Sequence, residues 1–88
     1  MKEEEIVSRI RTLHPDAVID IAGEDCNFEL FVVSETFTGQ TILNRQKPIL
    51  ALFKDEISSG ALHALSIKAK TPTELSGQGG LIQIQPLN

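Results

Sequence analysis

Residues 62–74, LHALSIKAKTPTE, constrain the fold most, because a strand-like run passes directly into a helix start. The first part of this stretch alternates apolar and other residues, which is typical of a strand with one buried face. Thr71 can cap the following helix, Pro72 occupies a first helical position that needs no N–H, and Glu74 completes a capping box. His63, one of two histidines, lies at the start of this strand.

Two further apolar runs, residues 17–22 and 28–33, are separated by turn-forming residues. This pattern favours an antiparallel hairpin with Cys26 at its tip. A helix between the second run and residues 62–69 requires a right-handed crossover, so the second and third strands should be parallel.

Two helices are predicted from apolar residues that recur every three or four positions, over residues 2–13 and 45–58, with a helical turn at 41–44 also possible. Pro48 is expected in the first turn of the second helix, after a cap at Asn44 or Lys47, because an interior proline costs about 3 kcal/mol. His14 precedes a proline at the end of the first helix and is expected at the surface.

The predicted order is α-β-β-α-β-α, an α+β fold (an α/β sandwich) with a three-stranded mixed sheet covered by helices. We expect one domain at residues 1–75 and a flexible, Gly-rich tail at residues 76–88. Within the tail, residues 81–85 alternate well enough for an extra strand or a docking peptide.

The small size and the motifs argue against an enzyme. A chain of 88 residues is too short to enclose a deep site, and it contains no phosphate-binding loop, dinucleotide fingerprint or nucleophile elbow. One cysteine cannot form an intramolecular disulfide or a self-contained zinc or iron–sulfur site. The acidic N-terminus and the lack of a long apolar run predict a cytoplasmic protein without a membrane segment.

The formal net charge of −4 is unevenly distributed. Residues 1–35 hold three Lys or Arg and nine Asp or Glu, whereas residues 36–75 hold five and three. An acidic chain is not expected to bind nucleic acid avidly, although the second segment carries a net charge of +2.

Four short motifs together resemble the BolA family: VSETFTG at 33–39, LNRQK at 43–47, LHALSIK at 62–68 and TPTE at 71–74. The resemblance covers roughly residues 3–75. It implies a fold like the class II KH domain without the Gly-x-x-Gly loop that clamps nucleic acid. Gln46 and Leu75 depart from the histidine and tryptophan common in the family.

The resemblance also implies a function. BolA-like proteins pair with monothiol glutaredoxins and share a bridging [2Fe-2S] cluster, so this chain is expected to be a non-catalytic adaptor in iron–sulfur cluster assembly, transfer or iron regulation, with a link to stress response. The family's ligands correspond to His63 and, in the loop between the first two strands, to Cys26. The glutaredoxin cysteine and glutathione would supply the other ligands. The isolated chain is expected to carry no cofactor and to be a monomer or weak dimer.

Two alternatives remain open. The family is also associated with transcriptional regulation, and residues 37–58 would then read DNA through Arg45, Lys47 and Lys54. The third possibility is a protein-interaction module that docks through residues 81–87.

Overall fold

The computed structural model describes residues 1–24 and 27–79. The elements follow in the order α1 (Glu3–Leu13), β1 (Val18–Glu24), β2 (Asn27–Val33), a 3-10 helix (Glu35–Phe37), α2 (Ile42–Leu52), α3 (Lys54–Ser59), β3 (Ala64–Lys70) and α4 (Pro72–Gly79). The α+β class predicted from the sequence is confirmed.

The sheet formed by the described strands has the order β1-β2-β3. β1 and β2 are antiparallel, and β2 and β3 are parallel, as the hairpin and crossover arguments predict. Alternation along each strand sends one set of side chains to the helices and the other to the opposite face. The buried apolar core comprises Ile6, Ile10, Ala17, Phe28, Leu30, Val32, Phe37, Ile49, Phe53, Leu62, Ile67 and Ala69.

The prediction for the second helix is wrong about its cap, the place of Pro48 and its continuity, whereas the helical turn considered at residues 41–44 belongs to α2. The helix begins at Ile42, because the Thr41 hydroxyl accepts a hydrogen bond from the Asn44 N–H at 3.1 Å and caps it. Pro48 consequently lies inside α2 rather than in its first turn. The Asn44 carbonyl loses the bond that a residue with an N–H would donate, but Asn44 is exposed and water can replace that donor. The predicted single helix is also divided in two at Phe53, a fully buried residue that stands between α2 and α3 in the chain.

A buried aromatic residue fixes the turn after β2, and a glycine ends α3. Phe37 is fully buried and anchors the turn after β2 to the core. α3 ends at Gly60, which has φ +85° and takes up the left-handed conformation that favours glycine at a helix C-terminus.

The predicted capping box at the start of α4 is confirmed. The Thr71 N–H donates to Glu74 at 2.9 Å, and the Glu74 N–H donates to the Thr71 hydroxyl at 3.1 Å. α4 spans Pro72–Gly79. The predicted tail strand, residues 81–85, lies outside the described residues. Among the residues described, no helix is long and apolar enough to cross a bilayer.

Candidate functional site

His63 lies at the end of the sheet where β1 turns into β2. In the parallel register Ala64 pairs with Asn27, and in the antiparallel register Asn27 pairs with Glu24. His63 immediately precedes Ala64 and therefore lies beside this hairpin end. Cys26, the second predicted ligand, lies outside the described residues, so its position relative to His63 stays a prediction.

The loop that carries His63 is anchored at the preceding residue, Leu62. Leu62 is fully buried, and its N–H donates to the Glu56 carbonyl at 2.9 Å. His63 itself is exposed and, among the described residues, its ring makes no hydrogen bond. A buried anchor therefore holds an exposed imidazole, and a neutral imidazole with a free ring nitrogen is a common metal ligand.

Gly23 shapes the hairpin end next to His63. Its φ is +101°, and a Cβ at this position would collide with the carbonyl oxygen of Asn27. Only glycine allows this close approach of the two strands. A shallow depression of about 370 Å³ opens on the neighbouring sheet face, with the small residues Ala22, Ala64 and Ser66 in its lining.

Within the described residues, no group of three or more His, Cys, Asp or Glu side chains could hold a metal ion. His63 is therefore a single candidate ligand in this part of the chain, and any metal it binds there needs ligands from elsewhere.

Arg45, the first predicted nucleic-acid contact, is 7% exposed and fully engaged. Its guanidinium donates to both carboxylate oxygens of Glu74, at 2.7 and 2.9 Å, and to the carbonyls of Ala69 and Gln40, at 3.1 and 3.0 Å. This bidentate partner and the Thr71 N–H lower the pKa of Glu74 to about 2. A phosphate could be bound by Arg45 only after these bonds were broken.

Arg45 and Gln46 also protect the free edge of the sheet. Gln46 Nε2 donates to the Ile67 carbonyl at 2.9 Å, and Arg45 donates to the next outward-facing carbonyl, at Ala69. β3 thereby lacks the row of free carbonyls that would attract another strand. The sequence signal for the position of Arg45 is the predicted capping box. The Glu74 carboxylate has two oxygens, so it can bind an arginine as well as the Thr71 N–H.

Lys47 and Lys54, the other two predicted nucleic-acid contacts, are exposed. Neither makes a hydrogen bond or an ion pair with the part of the chain that the structure describes. Their ammonium groups are thus available to an anionic ligand.

His14 is buried, which corrects the expectation of a surface position. Its ring packs 4.6 Å from the Phe37 ring, and Nδ1 lies 2.5 Å from the Thr36 hydroxyl oxygen. Nε2 has no hydrogen-bond partner among the described residues, and burial lowers the pKa of His14 against the smaller opposing effect of Asp16. The hydrogen bonds continue from the Thr36 hydroxyl through the Ser34 hydroxyl to the Asp16 carboxylate. This network is structural, and the sequence gives no local signal for it.

Comparison with known proteins identifies relatives along most of the chain. A family model described as "BolA-like protein" matches residues 6–74. "SufE-like protein 1, chloroplastic/mitochondrial" from Arabidopsis thaliana is 48% identical over 61 residues, which cover 67% of this chain but only 16% of that protein. "DNA-binding transcriptional regulator BolA" from Escherichia coli K12 is 36% identical over 56 residues, or 64% of this chain and 52% of that protein.

A solved structure gives the same fold. The structure of a bolA protein homologue from Coxiella burnetii is 30% identical and superposes with a TM-score of 0.69, over 86% of this chain and 97% of that one.

Proposed function

The chain belongs to the BolA family, and from this premise we propose that it is a non-catalytic adaptor that pairs with a monothiol glutaredoxin and contributes His63 to a bridging [2Fe-2S] cluster. The observation that carries the proposal is the exposed His63 ring, free of hydrogen bonds to the described residues, on a loop anchored by buried Leu62. A residue held for packing would be expected to bury its ring or to pair its nitrogens, as His14 buries its own.

Ligand accounting supports a shared cluster rather than one held by this chain alone. A [2Fe-2S] cluster needs four protein-side ligands, and His63 with Cys26 would supply two. The glutaredoxin cysteine and a glutathione thiolate would supply the other two. When bound, such a cluster provides one-electron chemistry, and a histidine in place of a thiolate shifts its reduction potential upward.

This chain's own contribution is to present the imidazole. The Leu62 N–H bond to Glu56 and the burial of Leu62 fix the backbone just before His63. The Gly23 close approach fixes the neighbouring hairpin end. Both features restrict where a ligand on this edge can lie, which favours one docking geometry with a partner.

The test is anaerobic copurification with a monothiol glutaredoxin and glutathione, followed by visible absorption and circular dichroism. We expect His63→Ala to abolish or strongly change the cluster spectrum and His63→Cys to retain a cluster with a lower reduction potential. Ser66→Ala, an exposed neighbour on β3, is the matched control and should leave the spectrum unchanged. An unaltered spectrum for His63→Ala would show that another group is the ligand.

Nucleic-acid binding is a second candidate, because Lys47 and Lys54 are exposed and unpaired in the described structure and one relative is named a DNA-binding regulator. Each lysine that contacts a phosphate should contribute about one to the slope of log affinity against log salt. We expect Lys47→Ala and Lys54→Ala each to lower that slope in a duplex-binding titration. No binding at low salt would exclude this function.

The proposed domain division is a BolA-like domain at residues 1–75 with a tail beyond it. Deletion of residues 80–88, which begin after the end of α4, tests the tail. An unchanged melting temperature with a lost partner interaction would assign the tail to binding, whereas a lowered melting temperature would assign it to the fold.

A further inference from the structure

The sheet has a face that the described helices do not cover. The core side of β2 carries buried Phe28, Leu30 and Val32, so the intervening residues point the other way. On that open face, Val18 is 65% exposed and Phe31 is 36% exposed. The face is formed by Val18, Asp20, Ala22, Glu29, Phe31, Val33, Ser66, Lys68 and Lys70.

Charge is separated across this open face by the strand register. Asp20 on β1, Phe31 on β2 and Lys68 on β3 lie in one row, and the Lys68 Nζ lies 5.9 Å from the centre of the Phe31 ring. The next row carries Val18, Val33 and Lys70. In the first of these rows, an acidic, an apolar and a basic side chain therefore stand side by side.

We propose that the open face binds a second copy of this chain, face to face, about a two-fold axis parallel to β2. This rotation places β1 of one copy over β3 of the other, so that Asp20 opposes Lys68 of the second copy twice. Phe31 meets Phe31 of the second copy on the axis. Interfaces of this kind are self-complementary because the same patch is used by both copies.

The charge pattern selects this axis over the alternative. A two-fold axis perpendicular to the strands through Phe31 would place Asp20 on Asp20 and Lys68 on Lys68. In the favoured arrangement Glu29, on the central strand, is the one charged residue that meets its own copy. The acids Asp20 and Glu29 also disfavour a nucleic acid on this face, since they balance Lys68 and Lys70.

The available area makes the association weak. Three strands about 4.8 Å apart and seven residues long present roughly 300 Å² per copy, or about 600 Å² in total. Stable interfaces bury about 1,200 Å² or more, so we expect a dissociation constant on the order of 100 μM. The proposal is independent of the cluster function, because it uses neither His63 nor Cys26.

The experiment is sedimentation velocity of the full chain from 10 μM to 1 mM, which spans about a factor of ten on either side of the expected constant. We expect concentration-dependent dimerisation, weakened at least about tenfold by Asp20→Lys or by Lys68→Asp, because each reverses two symmetric pairs. The double variant Asp20→Lys with Lys68→Asp should restore the wild-type constant. Circular dichroism verifies that each variant is folded.

Glu29→Gln provides a second, independent measurement. It removes the one like-charge contact on the axis and should strengthen dimerisation, an outcome that a merely structural role for Glu29 does not produce. A monomer at all concentrations, or a double variant no better than the single ones, would overturn the proposal. So would binding of a single-stranded oligonucleotide that depends on Phe31 without any self-association.

Discussion

Replacement of Arg45 by methionine tests whether this arginine is a structural clamp. Methionine keeps an unbranched apolar side chain but removes every donor of the guanidinium, whose carbon lies 5.8 Å from the centre of the Phe37 ring. The Ala69 carbonyl, which accepts from Arg45 in a buried position, is then left without this partner.

The expected loss of stability follows from these contacts. An unsatisfied buried carbonyl costs about 1–3 kcal/mol. The Gln40 carbonyl can accept a hydrogen bond from water instead, because Gln40 is exposed. Loss of the ion pair with Glu74 adds little to the loss of stability, because the Glu74 side chain is 39% exposed and screened by solvent. We therefore expect the free energy of unfolding to fall by about 2 kcal/mol, which lowers the melting temperature of a domain this size by about 8–16 °C.

Chemical denaturation monitored by far-ultraviolet circular dichroism measures this loss. Lys47→Met is the matched control, since it removes an exposed cation from the same helix and should change stability by less than about 0.5 kcal/mol. Arg45→Lys should recover only part of the loss, because an ammonium cannot form the bidentate fork. Equal losses of stability in Arg45→Met and Lys47→Met would refute the structural role of Arg45 and show that it behaves like an exposed cation.

Three further perturbations have defined outcomes. Burial lowers the folded-state pKa of His14, so the unfolded chain gains a proton first as the pH falls. Stability should therefore decline below about pH 6.5, and His14→Gln should flatten that decline in melting temperature. The pKa of Glu74 is lowered to about 2, so its contribution to stability is present above about pH 4.5 and is lost as the pH falls toward 2. Glu74→Gln should remove this dependence of stability on acid. Gly23→Ala forces a clash with the Asn27 carbonyl, and hydrogen exchange should show faster exchange of β1 amides near residue 23 while amides near Val18 stay protected.

The parts of the fold that sequence predicted well depend on local signals. The hairpin follows from two apolar runs around turn residues, and the start of α4 follows from Thr71, Pro72 and Glu74 within four positions. The parallel pairing of β2 and β3 follows from the helical crossover between them. Each signal is contained in a few consecutive residues or in a general rule of connection, so no knowledge of distant contacts was needed.

The failures involve partners far apart in the chain. His14 is buried because Thr36 and Phe37 lie over it, and nothing near residue 14 indicates this. Arg45 is removed from the surface by Glu74, 29 positions away. A count of charges treats Arg45 and Lys47 alike, although one is a buried clamp and the other is exposed.

Pro48 illustrates a different limit. The expectation of a first-turn proline applied the average cost of an interior proline to a site where the affected carbonyl is exposed. The cap at Thr41 has a weak sequence signal, because its partner is only the backbone N–H of Asn44, with no reciprocal side chain to complete a capping box. Of the candidate site, His63 was identified from its motif, whereas the anchor that fixes it, the Leu62–Glu56 bond, depends on tertiary structure.

The central claim is that the imidazole of His63 ligates a cluster shared with another protein. It is tested most directly by pulsed electron paramagnetic resonance of the reduced complex, with ¹⁵N-histidine incorporated only into this chain. We predict a ¹⁵N hyperfine coupling from a directly bound nitrogen that disappears in His63→Ala and persists in His14→Gln. A cluster without that coupling, or with a coupling that survives His63→Ala, would contradict the account.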